Sequence, residues 1–486
     1  VNGRELRCKV VAEGGNLGFT QLGRVEYALN GGRINTDAID NSAGVDCSDH
    51  EVNIKILLNS VVAEGGMSVE QRNQLLAEMT GEVGALVLRD NYFQTQSLSV
   101  RERMLLDAQA RFIKDLEKTG KLNRAIEFLP SDEELAARKA ARTGLTSPER
   151  AVLLAYSKIM LYDALLASKV PDDPYVSTAL VRYFPAPLHE RYREHMERHP
   201  LKREIIATHV TNEMTNRVGS TFVHRMQEET GARIPDVVRA YLLTREVFDF
   251  DSFWKAVEAL DSKVPDAVQT GMLIASERLM VRATLWFLRY RDLRDDIAKT
   301  AGHFAPGVKA LAASLDRFLA ADESAGLAQA AERLTQNKVP NDLARRLVRF
   351  EPLYSALDIT EVAMQTKRSV EDAAGIYFAV GGRLNFSWLH KQIGSLPADS
   401  HWHALAKAAL RDELSGLQSQ LTGAVSKLSP HANVPDALVR QWEAENKSAL
   451  ERSRQVLADL QGTGKLDLSM LSIALRELRN LALQRP

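Results

Sequence analysis

Val10-Val11-Ala12-Glu13-Gly14-Gly15-Asn16 and, after one helix-sized interval, Asp40-Asn41-Ser42-Ala43-Gly44-Val45-Asp46-Cys47-Ser48 are the stretches whose reading decides the fold. Arg7 to Ala12 is a short, mostly apolar run that stops at a Gly-Gly pair, as a strand buried on both faces does. Thr20 to Leu29 sets Leu22, Val25, Ala28 and Leu29 at the spacing of one helix face, and Asn30-Gly31-Gly32 ends that helix. Arg33 to Ile39 reads as the next strand. Strand, crossover helix and strand in this order favour parallel pairing, the grammar of a doubly wound α/β domain. In such a sheet ligands bind beyond the carboxyl ends of the strands, where both polar clusters fall. Glycines there let a ligand approach the backbone, and asparagine amides donate and accept at once.

Ser48 and Glu51 stand three apart ahead of an apolar helix carrying Val52, Ile54, Ile56, Leu57, Leu58 and Val61. That spacing predicts a capping box. A helix amino terminus also attracts carboxylates and phosphates, so a ligand contact at Ser48 stays open beside the cap.

Beyond Gly65-Gly66 the pattern is helical nearly throughout. Val69 to Arg89 reads as one or two amphipathic helices and Val100 to Thr119 as another, stopped by Gly120. Ser131 with Glu134 and Thr146 with Glu149 have the capping-box spacing. Ala151 to Ala167 is apolar almost all round, which predicts a buried, central helix. Lys158 lies on it, and a lysine whose stem packs while its head reaches water is the commoner arrangement. In Leu188 to Met226, arginines alternate with Glu190, Glu194, Glu197 and Glu204 at helical spacings, so no basic stripe is left for nucleic acid. Asp436 to Leu460 reads as one helix. The expected class is therefore mainly α. Residues 67–486 form a large all-helical carboxyl-terminal domain, with a subdomain break expected near 300–340. Residues 1–66 form a piece of a doubly wound, Rossmann-like α/β domain.

The chain has 486 residues, 45% hydrophobic and 26% charged, with a net charge of −1, so no electrostatic footprint for nucleic acid or an anionic membrane is present. With only Cys8 and Cys47 there is no disulfide framework, and a reducing, cytoplasmic setting is the default. Cys47, Asp49, His50 and Glu51 are metal-capable groups, but no CxxC or HxxxH pair accompanies them. Ser48 and His50, two apart on a helix, diverge and make no nucleophile pair.

Ala12-Glu13-Gly14-Gly15-Asn16 resembles the alanine-glutamate-glycine-alanine-asparagine strand end of glutamate dehydrogenases, and Asn41 to Ser48 resembles their asparagine-alanine-glycine-glycine-valine segment with its downstream serine. The version from Ile34 to Glu51, together with Gly144 to Lys158, is similar to the large bacterial NAD-specific glutamate dehydrogenases, and the likeness extends along nearly the whole chain. It departs from the smaller enzymes by Gly15 for alanine, Ser42-Ala43 for alanine-glycine and Asp49-His50 for an aromatic pair. The resemblance implies oxidative deamination of L-glutamate to 2-oxoglutarate and ammonia with NAD as hydride acceptor. It implies that Gly15 and Asn16 lie beside the nicotinamide ribose, that Asn41 faces the cofactor and that Ser48 contacts a substrate carboxylate. It also implies a homo-oligomer, with the helical part as its scaffold. The family's catalytic lysine and aspartate sit in a glycine-rich segment that matches nothing here. No Gly-x-Gly-x-x-Gly turn opens a helix after a strand either. We therefore expect a carboxyl-terminal piece of a longer enzyme, inactive alone. Another amino-acid dehydrogenase and a non-catalytic helical scaffold are the alternatives.

Overall fold

The computed structural model describes residues 1–100, 106–397, 400–428 and 434–483. They form two compact units, one of Val1–Leu242 with Phe287–Ile297, the other of Leu243–Trp286 with Ala298–Pro486. Both are built of helices.

In the first unit the expected strand pair is reduced to a single isolated parallel bridge between Val10 and Arg33. Val11 N–H donates to the Arg33 carbonyl at 2.9 Å and Arg33 N–H to the Lys9 carbonyl at 3.0 Å. The direction of pairing is as expected, but the buried strands Arg7 to Ala12 and Arg33 to Ile39 do not form, and Val10 is 63% exposed. A two-stranded ribbon has too little apolar surface to bury, and among the described residues no third strand joins it. The intervening helix α1 (Gln21–Leu29) is present, capped by Thr20, whose hydroxyl accepts from Gly23 N–H at 3.1 Å. Gly31 turns the chain out of it at φ +89°, and a Cβ on Gly32 would sit 2.2 Å from the Tyr27 ring. Both glycines are required by that turn.

Asp37–Asp40 coils into one helical turn, α2, and Asn41 at φ −100°, ψ 14° both ends it and starts α3 (Ser42–Ala63). Helix α3 thus begins at Ser42, and Ser48 lies inside it. The predicted capping box is not made: Ser48 Oγ reaches the Gly44 carbonyl at 3.4 Å, and Glu51 pairs with Lys55. The near-helical Asn41 carries the helical path straight through, so no end is left for Ser48 to cap. The inner face of α3 carries Ile54, Leu57, Leu58 and Val61 into the core.

Helices α4 (Val69–Glu78) and α5 (Thr80–Val100) divide at Met79, and α6 (Leu106–Lys118) follows. Residues 101–105, where Val100 to Thr119 was expected to be continuous, lie outside the described residues. Helix α7 (Asp132–Ala140) is opened by Ser131 and Glu134, each accepting from the other's backbone N–H, at 3.2 and 2.7 Å. Helix α8 (Ser147–Leu166) is opened by Glu149, which accepts from Thr146 N–H at 2.6 Å. Glu149 is buried and held by both ends of the Arg138 guanidinium at 2.6 and 2.9 Å. Helix α8 is not buried all round. It packs against α12, α1 and α5 and leaves a narrow exposed strip of Ala155, Ile159 and Asp163. Helices α9 (Pro174–Tyr183), α10 (Ala186–His189), α11 (Arg193–Glu197) and α12 (Lys202–Val218) follow, with α12 packed on α5, α8 and α9 and α11 on α3 and α9.

The second unit has its own core, built by Ile376, Val380, Phe386, Leu414, Leu421, Leu471 and Leu475 from Val370–Arg383, Phe386–Ser395, His401–Leu428 and Leu468–Leu483. The predicted helix Asp436 to Leu460 is broken into Pro435–Glu445 and Lys447–Gly462. The break falls at Asn446, whose side-chain amide takes the Trp442 carbonyl at 2.9 Å, a local bond that competes with helix continuation. Asp358 is buried in this unit. One of its oxygens accepts from Trp286 Nε1–H at 2.9 Å and the other has no hydrogen-bond partner.

Burial pushes the Asp358 carboxyl up from an ordinary 3.8 to about 7. The folded state therefore keeps a proton that the unfolded chain has already released, and stability falls as pH rises from 3.8 to about 7. Urea unfolding of the chain from pH 4 to 8 is expected to show that slope, and Asp358→Asn to flatten it. An unchanged slope in the variant would place the proton elsewhere.

Candidate functional site

Two loops, 13–19 and 35–41, come together over the ends of α1 and α3 through one buried ion pair. Arg24 on α1 donates from Nε and Nη2 to the two oxygens of Glu13 at 2.6 and 2.9 Å, and both side chains are buried. Its Nη2 also lies 3.0 Å from Asp37 Oδ1. Burial opposes the guanidinium charge, but Glu13 and Asp37 outweigh it and hold Arg24 above its ordinary value. The carboxylates spend their remaining capacity on backbone: Glu13 accepts from Phe19 N–H at 3.0 Å and Asp37 from Leu17 N–H at 2.8 Å. The Leu17 bond leads the causes that hold the Asp37 carboxyl below its usual range. Asp40 accepts from Glu13 N–H at 3.0 Å and from Asn35 Nδ2 at 2.9 Å. Asn35 in turn accepts from Ser147 Oγ, on the first turn of α8, at 2.7 Å.

On the outer side of this frame the structure brings Asn16 and Asn41 together. Asn41 Nδ2 donates to Asn16 Oδ1 at 3.1 Å, and the Asn41 side-chain oxygen lies over the first turn of α3, 3.0 Å from where a Cβ on Gly44 would stand. Asn91 on α5 steadies the Asn41 end, donating to the Ile39 carbonyl at 2.8 Å and to Ser42 Oγ at 2.9 Å. Nothing lies within 4 Å of a Cβ built on Gly14 or Gly15, so the backbone beside the amide pair is open to a ligand. Ser48 is exposed, seven residues after Asn41. Two helical turns return it to the same side of α3, about 10 Å further along the axis.

The inner side of α3 is a polar stripe that the sequence reading passed over. Tyr183 on α9 donates to Asp49 at 2.7 Å and accepts from Asn53 Nδ2 at 2.9 Å, while His50 stacks on the Tyr183 ring at 4.3 Å. Burial raises the Tyr183 phenol and lowers the His50 imidazole, so both are neutral near pH 7. Next to them stand Asp46 on α3, Asp90 on α5 and Lys158 on α8, all half-buried. Burial, with Asp90 and Asp49 adding to it, pushes the Asp46 carboxyl up to about 7. Burial also raises Asp90, and it lowers the Lys158 ammonium to about 8 against the pull of the two carboxylates. Lys158 does not project freely into water: its ammonium donates to Gln94 on α5 at 3.0 Å. The signal for this stripe was in the spacing, since Ser42, Asp46, Asp49 and Asn53 recur every three or four residues along the helix. Among the described residues no group of three or more histidine, cysteine or acidic side chains is arranged for a metal ion.

These features define a mainly helical protein whose amino-terminal segment sets open glycine backbone beside a pair of bonded amides. The chain belongs to the glutamate dehydrogenase C-terminal family, whose pattern matches residues 142–480, and the bacterial NAD-glutamate dehydrogenase catalytic domain matches residues 1–101. Curated relatives named NAD-specific glutamate dehydrogenase are 45% identical in Pseudomonas aeruginosa PAO1, 41% in Halomonas elongata and 38% in Mycobacterium tuberculosis H37Rv. Each alignment covers 99% of this chain, and the chain spans 30% of the length of each relative.

The Arg24–Glu13 pair supports the whole face, and leaving one partner buried and alone costs about 3–5 kcal/mol. Arg24→Met is expected to lower the chain's unfolding free energy by roughly that amount, and Glu13→Gln added to it to recover part of the loss. Urea titration reads both. A change of under about 1 kcal/mol would show that the pair is not a structural keystone.

Proposed function

We propose that this chain is part of an NAD-dependent glutamate dehydrogenase that converts L-glutamate to 2-oxoglutarate and ammonia, and that the Asn16–Asn41–Ser48 face meets its cofactor and substrate. On this reading residues 1–66 are the carboxyl-terminal piece of a Rossmann-like dinucleotide-binding domain. Residues 67–486 are its helical support, with a further division near 300–340. The carrying observation is the Asn16–Asn41 amide pair beside open glycine backbone. Primary amides donate and accept at once, as pairing with a carboxamide such as nicotinamide's requires. The parallel bridge at Val10 and Arg33 supports the reading, since it has the direction of a Rossmann ladder. So do Val10, Leu17, Val45 and Val52, apolar and exposed, as a surface for more of the enzyme to cover.

NAD, when bound, accepts the hydride from the α-carbon of glutamate. The chain's own residues bind and orient. Gly14 and Gly15 admit the cofactor close to the backbone, and Asn16 and Asn41 hold its carboxamide. Ser48 donates its hydroxyl to the side-chain carboxylate of glutamate. A hydroxyl there selects against leucine or valine, because hydrocarbon would leave it unpaired. Cys8 and Cys47 are free and exposed, which suits a reducing compartment, and we take the enzyme to work in the cytoplasm as a homo-oligomer. No helix among the described residues is long and apolar enough to cross a membrane.

In the full-length enzyme, Ser48→Ala is expected to raise the KM for glutamate roughly ten- to a hundredfold, the loss of one hydrogen bond to a charged group, and to leave that for NAD nearly unchanged. Asn41→Ala is expected to do the reverse. Steady-state kinetics with both substrates varied decides it. Native glutamate kinetics in Ser48→Ala, or a preference of the native enzyme for leucine or valine, would overturn the assignment.

A further inference from the structure

We propose that Tyr183 is a positioning residue for glutamate: its hydroxyl, bonded to Asp49 and Asn53, holds the turn of α3 that carries Ser48, while Asn91 separately holds the end that carries Asn41. The inference rests on the reading that Asn41 and Ser48 face cofactor and substrate.

The amino-terminal half of α3 needs such a hold. Of the residues from Ser42 to Val52 only His50 is buried, and the apolar anchors Ile54, Leu57, Leu58 and Val61 all come later. Hydrophobic burial therefore seats the far half of the helix, and the half that bears Ser48 is fixed by polar contacts. Those contacts fall into two sets. At the first turn, Asn91 of α5 donates to the Ile39 carbonyl at 2.8 Å and to Ser42 Oγ at 2.9 Å, on either side of Asn41. Two turns on, Tyr183 of α9 donates to Asp49 at 2.7 Å, and Asn53 Nδ2 donates to the Tyr183 oxygen at 2.9 Å and to Asp49 at 3.3 Å. The three groups close a ring of bonds directly after Ser48. The His50 ring stacks on the Tyr183 ring, centroids 4.3 Å apart. His199 adds a bond to the same turn. Leu201 N–H donates to its Nδ1 at 3.1 Å, which leaves the proton on Nε2, and Nε2 donates to the Asn53 carbonyl at 3.1 Å.

Asp49 and Asn53 are four residues apart and so lie on one side of α3. Two bonds from one rigid phenol to that side oppose rolling of the helix about its axis. A roll would move Ser48, about 100° round from Asp49, off the substrate. The bond to the carboxylate is charge-assisted, about twice as strong as a neutral one. A misplacement of about 1 Å at a site costs up to about a hundredfold in rate, so a hold of this kind matters to function as well as to stability. Because the two holds come from different helices, losing one is expected to loosen one ligand and spare the other.

The test uses the full-length enzyme with glutamate and NAD both varied. Tyr183→Phe removes the hydroxyl and keeps the ring on His50. It is expected to raise the KM for glutamate about tenfold, with kcat less affected and the KM for NAD within about twofold of native. Asn91→Ala is expected to raise the KM for NAD and spare that for glutamate. Tyr183→Phe added to Ser48→Ala is expected to raise the KM for glutamate no further than Ser48→Ala alone, since Tyr183 acts through Ser48. Hydrogen exchange without ligands is expected to quicken over residues 46–53 in Tyr183→Phe and to stay native there in Asn91→Ala. If Tyr183→Phe does not fold, Asp49→Ala, which removes the acceptor at an exposed position, carries the test with the same expectations. A native KM for glutamate in the variant, equal rises in both KM values, or a rise that adds to that of Ser48→Ala would overturn the proposal. Ser48→Ala alone separates the causes. If it weakens glutamate use while Tyr183→Phe is native, only the role of Tyr183 fails. If Ser48→Ala is itself native, the site assignment fails and the route through Ser48 fails with it.

Discussion

The Arg24 guanidinium, buried and bonded to both oxygens of Glu13, is the contact on which the 13–19 and 35–41 segments depend. Two short segments, one irregular and the other holding a single helical turn, have to be kept at fixed positions, and the single parallel bridge at Val10 and Arg33 cannot do it. The ion pair can, because each carboxylate that meets Arg24 also accepts a backbone N–H from the loop, Phe19 for Glu13 and Leu17 for Asp37. One buried cation therefore organises two acids, two backbone amides and, through Asp40 and Asn35, the first turn of α8. A fully satisfied network of this kind specifies one arrangement, since any displacement strands a charge in a medium of low dielectric constant.

Helix α3 has two faces with different tasks. Its outer side carries Asn41 and Ser48 to solvent, while its inner side alternates apolar residues with Asp46, Asp49, His50 and Asn53. The polar members are not tolerated intrusions into a core. Asp49 and Asn53 meet Tyr183, His199 reaches the Asn53 carbonyl at 3.1 Å, and Asp46 shares its surroundings with Lys158. These contacts fix the rotation of the helix about its axis. Apolar packing fixes it less tightly, because a hydrophobic stripe tolerates some rolling whereas hydrogen bonds and ion pairs do not.

Much of this was legible in the chain as written. The helical character after residue 66, the caps at Ser131 and Thr146, the turn at Gly31-Gly32 and the grouping of Asn16 with Asn41 all follow from local rules: apolar period, cap chemistry and glycine's freedom at positive φ. The misread features are those in which local rules compete. Ser48 and Glu51 have the spacing of a cap, but a near-helical Asn41 lets α3 begin at Ser42. Arg7 to Ala12 has the composition of a buried strand, but a strand is defined by its neighbours. Asn446 has the helical pattern on both sides, yet its side chain takes a backbone carbonyl and the helix divides.

Sequence alone determined the mainly helical class of fold and the family likeness, because these are written in periodicity and in residue types at short spacing. Tertiary structure alone decided that Glu13 belongs to Arg24, that Asn41 touches Asn16 and that Lys158 reaches Gln94. Asn53 and Tyr183 are 130 residues apart, and Lys158 and Gln94 are 64 apart. Such partnerships depend on which helix faces pack together, and periodicity records only that a face is apolar, not what it meets.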